Sequence, residues 1–323
     1  MLYSGPGESM GLAEKMSQQR TLKSPIAMQG VGLHSGERAR IRVRPAPADS
    51  GIVFVRTDLG CAEIPASHEY VVSSSLATTV SMNGASVGTV EHLLAALFGL
   101  GVDNARIEVD GPEIPIVDGS AAPFVEAIHA SGIVAQAAPR RVLDLSRPVA
   151  VRQGERTVLA LPSTDLRISY AIDFAHPAIG YQAVTLRMDE RVFAASIAPA
   201  RTFCLLRDVD AMRDSGLALG GSLDNALVVG DDGVLNGELR FRDEFVRHKV
   251  LDLIGDLALA GAPLRAHVIV FKGGHRMHAA LVQRIAERQD APAAVGRRLS
   301  PGTFERFAHL GRRLVPSPQV LTA

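Results

Sequence analysis

EFVRHKVLDLIGDLALAG, residues 244–261, has apolar side chains on nearly every face of the helix it would form, which is typical of a buried helix. It nevertheless carries His248, Asp252 and Asp256. These three residues are spaced i, i+4, i+8, and at about 100° per residue they form one polar row along the helix. Burial of such a row costs roughly several kcal/mol unless something compensates the charges. The stretch therefore predicts a buried helix whose polar row has a charged partner.

The rest of the chain predicts two domains of sheet and helix. With 323 residues and 47% hydrophobic side chains, the chain is long enough for two hydrophobic cores. Because strands precede helices in each half, we expect an α+β fold in which sheet layers pack against helices. Alternating apolar residues predict strands at 39–46, 51–58, 104–111, 157–162, 167–174 and 266–272. Helical periodicity predicts helices at 89–101, 120–132, 206–216, 244–260 and 275–287.

The segment AQAAPRR, residues 135–141, is predicted to link the two domains, because it follows a helix that ends on glycine and precedes a new run of strands. No repeat with a period of about 20 to 50 residues is visible. The expected divisions are an N-terminal tail at 1–18, domain I at 19–138, domain II at 139–310 and a C-terminal tail at 311–323.

Composition limits the partners and the compartment. The 34 basic and 34 acidic residues cancel, which argues against a protein that coats nucleic acid or an anionic membrane. Cys61 and Cys204 form no CxxC pair, so a disulfide framework and a cysteine zinc site are both disfavoured. The first eighteen residues lack the apolar region of a signal peptide, and no apolar run reaches the length of a membrane span. We expect a soluble protein of the reducing cytoplasm.

Two helices together offer the ligands of a catalytic metal. His248 and Asp252 lie four residues apart and can reach one ion. A catalytic zinc needs a third N or O ligand, and the predicted helix TVEHLLAAL, residues 89–97, supplies His92. Glu91 beside it could act as a general base. The common HExxH arrangement is absent, so the scaffold is a different one.

Each of these signals also has an ordinary structural explanation. A His-x-x-x-Asp pair on one helix is more often an ion pair or a solvated row, and a single histidine on an apolar helix is more often a satisfied core residue. Glu91 fits the general preference of acidic residues for a helix N-terminus. Only the combination of the two helices favours a hydrolytic zinc site.

Seven motifs, in this order, resemble the UDP-3-O-acyl-N-acetylglucosamine deacetylases (LpxC family), the zinc amidases of lipid A biosynthesis. The similarity runs from about residue 19 to about residue 290. The motifs are GVGLHSG (30–36), TVEHLLAAL (89–97), EIPIVDGSAAPFV (113–125), ARTF (200–203), LGGSLDNALVV (219–229), HKVLDLIGDL (248–257) and FKGGH (271–275).

The resemblance implies two domains, each a sheet layer against a pair of helices, with the active site between them. It implies Zn²⁺ as the cofactor, held by His92, His248 and Asp252, with Glu91 as general base. Thr202 would help to bind the oxyanion, and His275 would act as a cationic acid or as an electrostatic partner, supported by the carboxylate of Asp256.

The implied substrate is an amphiphile, a UDP-sugar with a 3-hydroxyacyl chain. Lys249 and Lys272 are expected near its diphosphate or acyl ester. Segment 203–222 is expected to line an apolar passage, with a plain core helix and turn as the alternative. The residues expected to contact the substrate in this segment are Phe203, Leu206, Val209, Gly221 and Ser222. His278 stands where the family often has Asn, and AHPAIGYQAV, residues 175–184, is shorter than in some members, which leaves the acyl length open.

Two other functions remain open at this point. One is a zinc amidase with the same site and another N-acetylated substrate. The other is an RNA-binding α+β module, which the neutral charge and the 5% aromatic content disfavour. The expected partners are therefore a small amphiphilic substrate and no nucleic acid, with transient contact to the inner-membrane surface and a monomeric state.

Overall fold

The structure, a computed structural model, describes residues 17–290. The predicted N-terminal tail, apart from its last two residues, and the predicted C-terminal tail at 311–323 lie outside the described residues. So does the end of the predicted domain II, from residue 291.

Six helices and nineteen strands form within the described range. The helices are α1 (Glu91–Gly99), α2 (Ala122–Ser131), α3 (Glu190–Ser196), α4 (Leu206–Asp214), α5 (Glu244–Ala258) and α6 (His275–Asp290), with short 3-10 turns at Thr57–Leu59 and His68–Tyr70. The strands of the first half are β1 (Gln18–Leu22), β2 (Ile26–Val31), β3 (Arg38–Pro45), β4 (Ile52–Arg56), β5 (Ala62–Pro65), β6 (Val71–Ser74), β7 (Thr78–Met82), β8 (Ala85–Val87), β9 (Ala105–Asp110) and β10 (Ile133–Pro139). Those of the second half are β11 (Leu143–Asp144), β12 (Val149–Gln153), β13 (Arg156–Pro162), β14 (Arg167–Asp173), β15 (Tyr181–Arg187), β16 (Phe203–Leu205), β17 (Leu227–Gly230), β18 (Gly233–Val234) and β19 (Leu264–Phe271).

The two large sheets have the same topology. Sheet I has the order β2-β3-β9-β4-β5, and sheet II has the order β12-β13-β19-β14-β15, with β11 added beside β19. In each sheet the central strand, β9 or β19, pairs parallel with one neighbour and antiparallel with the other. The structure confirms the α+β prediction and shows a duplication that the sequence does not reveal as a repeat.

The helices occupy equivalent places in the two halves. A helix precedes each central strand, α1 before β9 and α5 before β19, and a second helix follows it, α2 or α6. Helices α5 and α6 pack on sheet II, α2 contacts sheet I, and α1 packs along α5 where the two halves meet. The apolar sides of α1 and α5 are buried there, which explains why the sequences of both helices, 91–99 and 244–258, are so rich in apolar residues.

Each half carries one insertion before the helix that meets the other half. The three-stranded sheet β6-β7-β8 precedes α1. Helices α3 and α4 and the small sheet β16-β17-β18 precede α5. Both insertions therefore lead directly into the two helices that carry the candidate site residues. Helix α1 carries Glu91 and His92, and α5 carries His248, Asp252 and Asp256.

The connection between the halves differs from the prediction. Most of segment 135–141, predicted as a linker, belongs to β10, which pairs antiparallel with β1. The alternation in this stretch is weak because its side chains are small, so composition suggested a linker. Helix α3 was also missed; it has only seven residues, and Asp189 caps its N-terminus by accepting a hydrogen bond from the backbone N–H of Val192. None of the helices in residues 17–290 is long and apolar enough to cross a membrane.

Candidate active site

Three buried side chains form a cluster where α1 meets α5. His92 lies in the first turn of α1, and His248 and Asp252 lie one turn apart on α5. The Nε2 atoms of His248 and His92 lie 3.3 Å and 3.7 Å from Asp252 Oδ1. Tetrahedral zinc, with bonds of about 2.0 to 2.2 Å, separates its ligand atoms by roughly 3.4 Å. The cluster therefore has the spacing of a metal site.

The protonation of these ligands also fits a metal. Burial lowers the pKa of His248 to about 3, so its ring is neutral and has a lone pair to offer. Its Nδ1 donates to the carbonyl oxygen of Ala200 at 3.1 Å, which turns Nε2 toward the cluster. Nδ1 of His92 is buried without a hydrogen-bond partner, the single such side-chain atom found in the described chain. Because Nε2 of His92 is the nitrogen that faces Asp252, a metal in the cluster would bind Nε2, and this Nδ1 gives no separate support for the ion.

Asp252 is an ionised carboxylate. Burial alone would raise its pKa, but the ammonium of Lys249 and the cation of His275 hold the pKa of Asp252 well below its usual value. Lys249 Nζ lies 2.8 Å from Asp252 Oδ2. Lys249, expected near the substrate, thus pairs with a candidate ligand.

A second cluster surrounds Asp256, the third residue of the polar row. Its Oδ2 accepts a hydrogen bond of 2.8 Å from His275 Nδ1 at the start of α6, and its Oδ1 accepts one of 2.6 Å from Thr78 Oγ1. Burial would lower the pKa of His275, but the charges of Asp256 and Asp252 raise it to about 10. His275 is therefore a cation at neutral pH.

Glu91 lies against His275, which also reaches the first cluster. His275 Nε2 lies 3.7 Å from Glu91 Oε1 and 3.7 Å from Asp252 Oδ2. Burial raises the pKa of Glu91. A carboxylate with a raised pKa, beside a cation and a candidate metal site, is suited to accept a proton.

Thr78 also reaches the candidate site, and no sequence pattern indicated it. Its backbone N–H donates to Glu91 Oε2 at 3.0 Å while its hydroxyl binds Asp256. It holds the general-base candidate and the partner of His275 at once. A hydroxyl at the start of a strand has no spacing rule, so no motif pointed to Thr78.

The other predicted residues lie around this centre. Two backbone hydrogen bonds of 2.8 Å hold Thr202: its N–H donates to Gly119 O, and its carbonyl oxygen accepts from Leu227 N. The ring of Phe203 lies edge-on to His248, with centroids 6.3 Å apart. Phe203 therefore borders the first cluster, and Thr202 precedes it directly in the chain.

The residues predicted to line the acyl passage lie farther along the insertion of the second half, the second insertion, which comprises α3, α4 and the sheet β16-β17-β18. Leu206 is half exposed on α4, on the same helix as Val209. Gly221 and Ser222 lie in the loop that follows, where Ser222 N donates to Asn225 Oδ1 at 2.8 Å. Lys272 pairs with Asp173 at 2.9 Å and with Glu155 at 3.5 Å.

A buried cluster of two histidines and an aspartate, beside a buried glutamate, has the composition of a metal-dependent hydrolase. Comparison with known proteins narrows this class. Residues 19–287 match the family described as UDP-3-O-acyl N-acetylglycosamine deacetylase (LpxC), and the chain belongs to that family of metalloenzymes.

Relatives with the name UDP-3-O-acyl-N-acetylglucosamine deacetylase match most of the chain. One from Myxococcus xanthus (strain DK1622) is 51% identical over 269 residues, 83% of this chain and 86% of the relative. One from Geotalea uraniireducens (strain Rf4) is 47% identical over 277 residues, 85% of this chain and 90% of the relative. One from Acidithiobacillus ferrooxidans (strain ATCC 53993 / BNL-5-31) is 49% identical over 280 residues, 85% and 92% respectively.

Proposed function

We propose that this chain removes the N-acetyl group from UDP-3-O-(3-hydroxyacyl)-N-acetylglucosamine, releasing acetate and the free amine, as a step of lipid A biosynthesis. Membership of the deacetylase family supports this substrate. The observation that carries the proposal is the position of Glu91, which lies against the cation of His275 and beside the cluster of two histidines and an aspartate. This arrangement suits hydrolysis of an unactivated amide.

The cofactor we propose is Zn²⁺, held by His92, His248 and Asp252. Two imidazole nitrogens and one carboxylate oxygen are ligands that zinc prefers, and three protein ligands leave a fourth position open. When bound there, the metal supplies a Lewis acid for the amide carbonyl and lowers the pKa of water.

The chain's own residues then carry the protons and the charge. Glu91 takes a proton from the water whose oxygen forms the new bond to the carbonyl carbon. The hydroxyl of Thr202 and the cation of His275 stabilise the negative charge on the carbonyl oxygen, where one well-placed donor can contribute roughly 3 kcal/mol. When the C–N bond breaks, His275 donates the proton that the leaving amine needs.

The substrate's two ends would contact different parts of the second half. We propose Lys249 and Lys272 for the diphosphate or the acyl ester. The acyl chain would lie along the second insertion, in contact with Phe203, Leu206, Val209, Gly221 and Ser222. We further propose domains at 19–138 and 139–310, a cytoplasmic monomer, and a transient contact with the inner-membrane surface where the amphiphilic substrate is found.

Metal analysis and acetate release from the UDP-acyl substrate test the site together. We expect about one zinc per chain. His248→Ala should lose metal and activity together. Glu91→Ala should keep the metal and lose about 10²- to 10⁴-fold in kcat, as expected for removal of a general base. Full zinc occupancy in His248→Ala, or normal turnover in Glu91→Ala, would contradict these roles.

Truncated substrates test the substrate class. We expect kcat/KM to fall when either the UDP group or the acyl chain is removed, because both ends supply binding energy. Equal kcat/KM for a simple N-acetyl sugar would instead indicate an amidase with another substrate.

A further inference from the structure

Asp256 binds a second histidine that the proposed mechanism does not use. His278 Nδ1 lies 2.8 Å from Asp256 Oδ2, the same oxygen that accepts the hydrogen bond from His275. His278 follows His275 by three residues on α6, so both rings lie on one side of that helix. The side chain of His278 is completely buried.

The other nitrogen of His278 contacts Tyr170 on β14. His278 Nε2 lies 3.2 Å from Tyr170 Oη. Burial lowers the pKa of His278, so its ring is neutral and its one N–H points from Nδ1 to Asp256. Burial also raises the pKa of Tyr170 well above its usual value, so the phenol keeps its proton and donates it to Nε2. The donors and acceptors are therefore defined: Tyr170 donates to His278, and His278 donates to Asp256.

Three donors fix the plane of the Asp256 carboxylate. Thr78 holds Oδ1, while His275 and His278 hold Oδ2 from two directions. Without His278, only Thr78 and His275 would oppose rotation of the Asp256 carboxylate about its Cβ–Cγ bond. His275 is itself the ring that Asp256 must hold in place against Glu91. The hydrogen bond from His278 therefore keeps the carboxylate of Asp256 in place, so that Asp256 fixes the orientation of the His275 ring.

Gly273 leaves room for the contact between Tyr170 and His278. A Cβ atom at Gly273 would lie 2.3 Å from Val270 Cγ1, 3.0 Å from Tyr170 Oη and 3.2 Å from His278 Nε2. Any other residue at position 273 would press on the contact between Tyr170 and His278. The second glycine position, Gly274, has open space around it, so the requirement at Gly273 is local.

We propose that His278 is a positioning residue: together with Tyr170 it holds the Asp256 carboxylate so that His275 presents Nε2 to Glu91. His278 acts through Asp256 and takes no proton during the reaction. The proposal rests on the proposed function, in which His275 stabilises charge and donates a proton.

Three substitutions separate the two nitrogens of His278. In His278→Asn the amide nitrogen stands near the position of Nδ1 and keeps the donor to Asp256. In His278→Gln it stands near Nε2 and faces Tyr170, and His278→Leu has no donor. We expect kcat to stay within about threefold for Asn and to fall about 10- to 100-fold for Gln and Leu, the usual cost of removing an outer partner. KM and zinc content should be unchanged in all three.

Nuclear magnetic resonance of ¹⁵N-histidine-labelled protein supplies a readout that does not depend on turnover. The Nδ1–H resonance of His275 should keep its position in His278→Asn and move in His278→Leu. Tyr170→Phe, which removes the hydroxyl alone, should give a smaller loss of kcat than His278→Leu. If His278→Leu fails to fold, the contrast between Asn and Gln still decides.

Equal losses for Asn and Gln, or wild-type kcat in Leu, would overturn the proposal. Failure of the proposed function would look different. In that case the wild-type protein releases no acetate from the UDP-acyl substrate, while the resonance of His275 still distinguishes Asn from Leu.

Discussion

Glu113 shows how much one buried carboxylate can fix in this protein. Its Oε1 accepts hydrogen bonds from Thr89 Oγ1 at 2.6 Å and from the backbone of His34 at 2.9 Å. Its Oε2 accepts one of 2.7 Å from the backbone of Ser35. Thr89 lies just before α1 and has a φ of 51°, an unfavourable value for a β-branched residue. Glu113 therefore ties loop 32–36 to the start of the helix that carries Glu91 and His92.

We predict that Glu113→Gln lowers the free energy of unfolding by about 1 to 3 kcal/mol at pH 7, because the amide NH₂ must face one of these donors. Burial alone would raise the pKa of Glu113, but the three hydrogen bonds hold it below its usual 4.5. A lowered pKa means that the carboxylate stabilises the fold above pH 4.5, and that this contribution is lost as pH falls through the folded-state pKa. Denaturant unfolding at pH 7 and at lower pH measures the difference.

The matched control is Glu63→Gln. Glu63 is 56% exposed and pairs with Arg106. Exposed pairs contribute little, so this change should stay within about 0.5 kcal/mol. A loss in Glu113→Gln that remained constant down to strongly acidic pH would contradict the role of the ionised carboxylate.

Sequence could point to ionisable residues of the candidate site but not to their hydroxyl and backbone partners. His248, Asp252 and Asp256 follow from helical spacing, and the structure places them in one row facing α1 and α6. Thr78 and the carbonyl of Ala200 reach the same centre through tertiary contacts. Such partners depend on which elements meet, and that information is not present in a local pattern.

The crossing of α1 and α5 depends on one glycine. A Cβ atom at Gly255 would lie 2.1 Å from the backbone oxygen of Glu91. Glycine in a helix interior costs up to about 1 kcal/mol relative to alanine. Here it allows the first turn of α1 to approach α5 closely enough for His92 to join Asp252.

We predict that Gly255→Ala separates the two helices and disturbs both clusters. Overpacking of this kind costs typically about 1 to 3 kcal/mol, more than the gain in helix propensity. Zinc affinity and kcat should both fall, because the proposed ligand His92 and the proposed base Glu91 belong to α1, while the other two proposed ligands, His248 and Asp252, belong to α5. Metal titration and acetate release measure the two effects. Unchanged zinc affinity in a folded Gly255→Ala protein would show that the contact can relax without moving His92.

At the level of whole elements, the predicted strands were the ones with strong alternation. Strand β3, for example, has a regular alternation of exposed and buried residues. Strands such as β10 lack that signal because they have small side chains and a single partner strand. Five of the six helices were predicted with small errors at their ends, because helical periodicity over nine or more residues is a stronger signal than a strand of three to five.

The two halves of the molecule also meet through their loops. The loop after α4, in the second insertion, bonds loop 32–36 of the first half through its backbone: Leu219 N donates to His34 O at 3.2 Å, and Gly220 N to Leu33 O at 3.1 Å. Apart from the crossing of α1 and α5, the two halves therefore meet at a second junction, which these loops form. The second junction holds the proposed acyl-contact segment against the first half.

We predict that Gly220→Ala weakens this second junction and leaves the metal site intact. A Cβ atom at Gly220 would lie 2.2 Å from the backbone oxygen of Gly32, and neither backbone can yield without losing the hydrogen bonds between the loops. If the loop helps to hold the acyl chain, KM for the acylated substrate should rise roughly tenfold, which corresponds to about 1.4 kcal/mol, within the usual cost of overpacking. Zinc content should not change, because both clusters lie at the other junction. Steady-state kinetics on substrates with and without the acyl chain measure the effect, and an equal rise in KM for both substrates would place the role of the junction outside acyl binding.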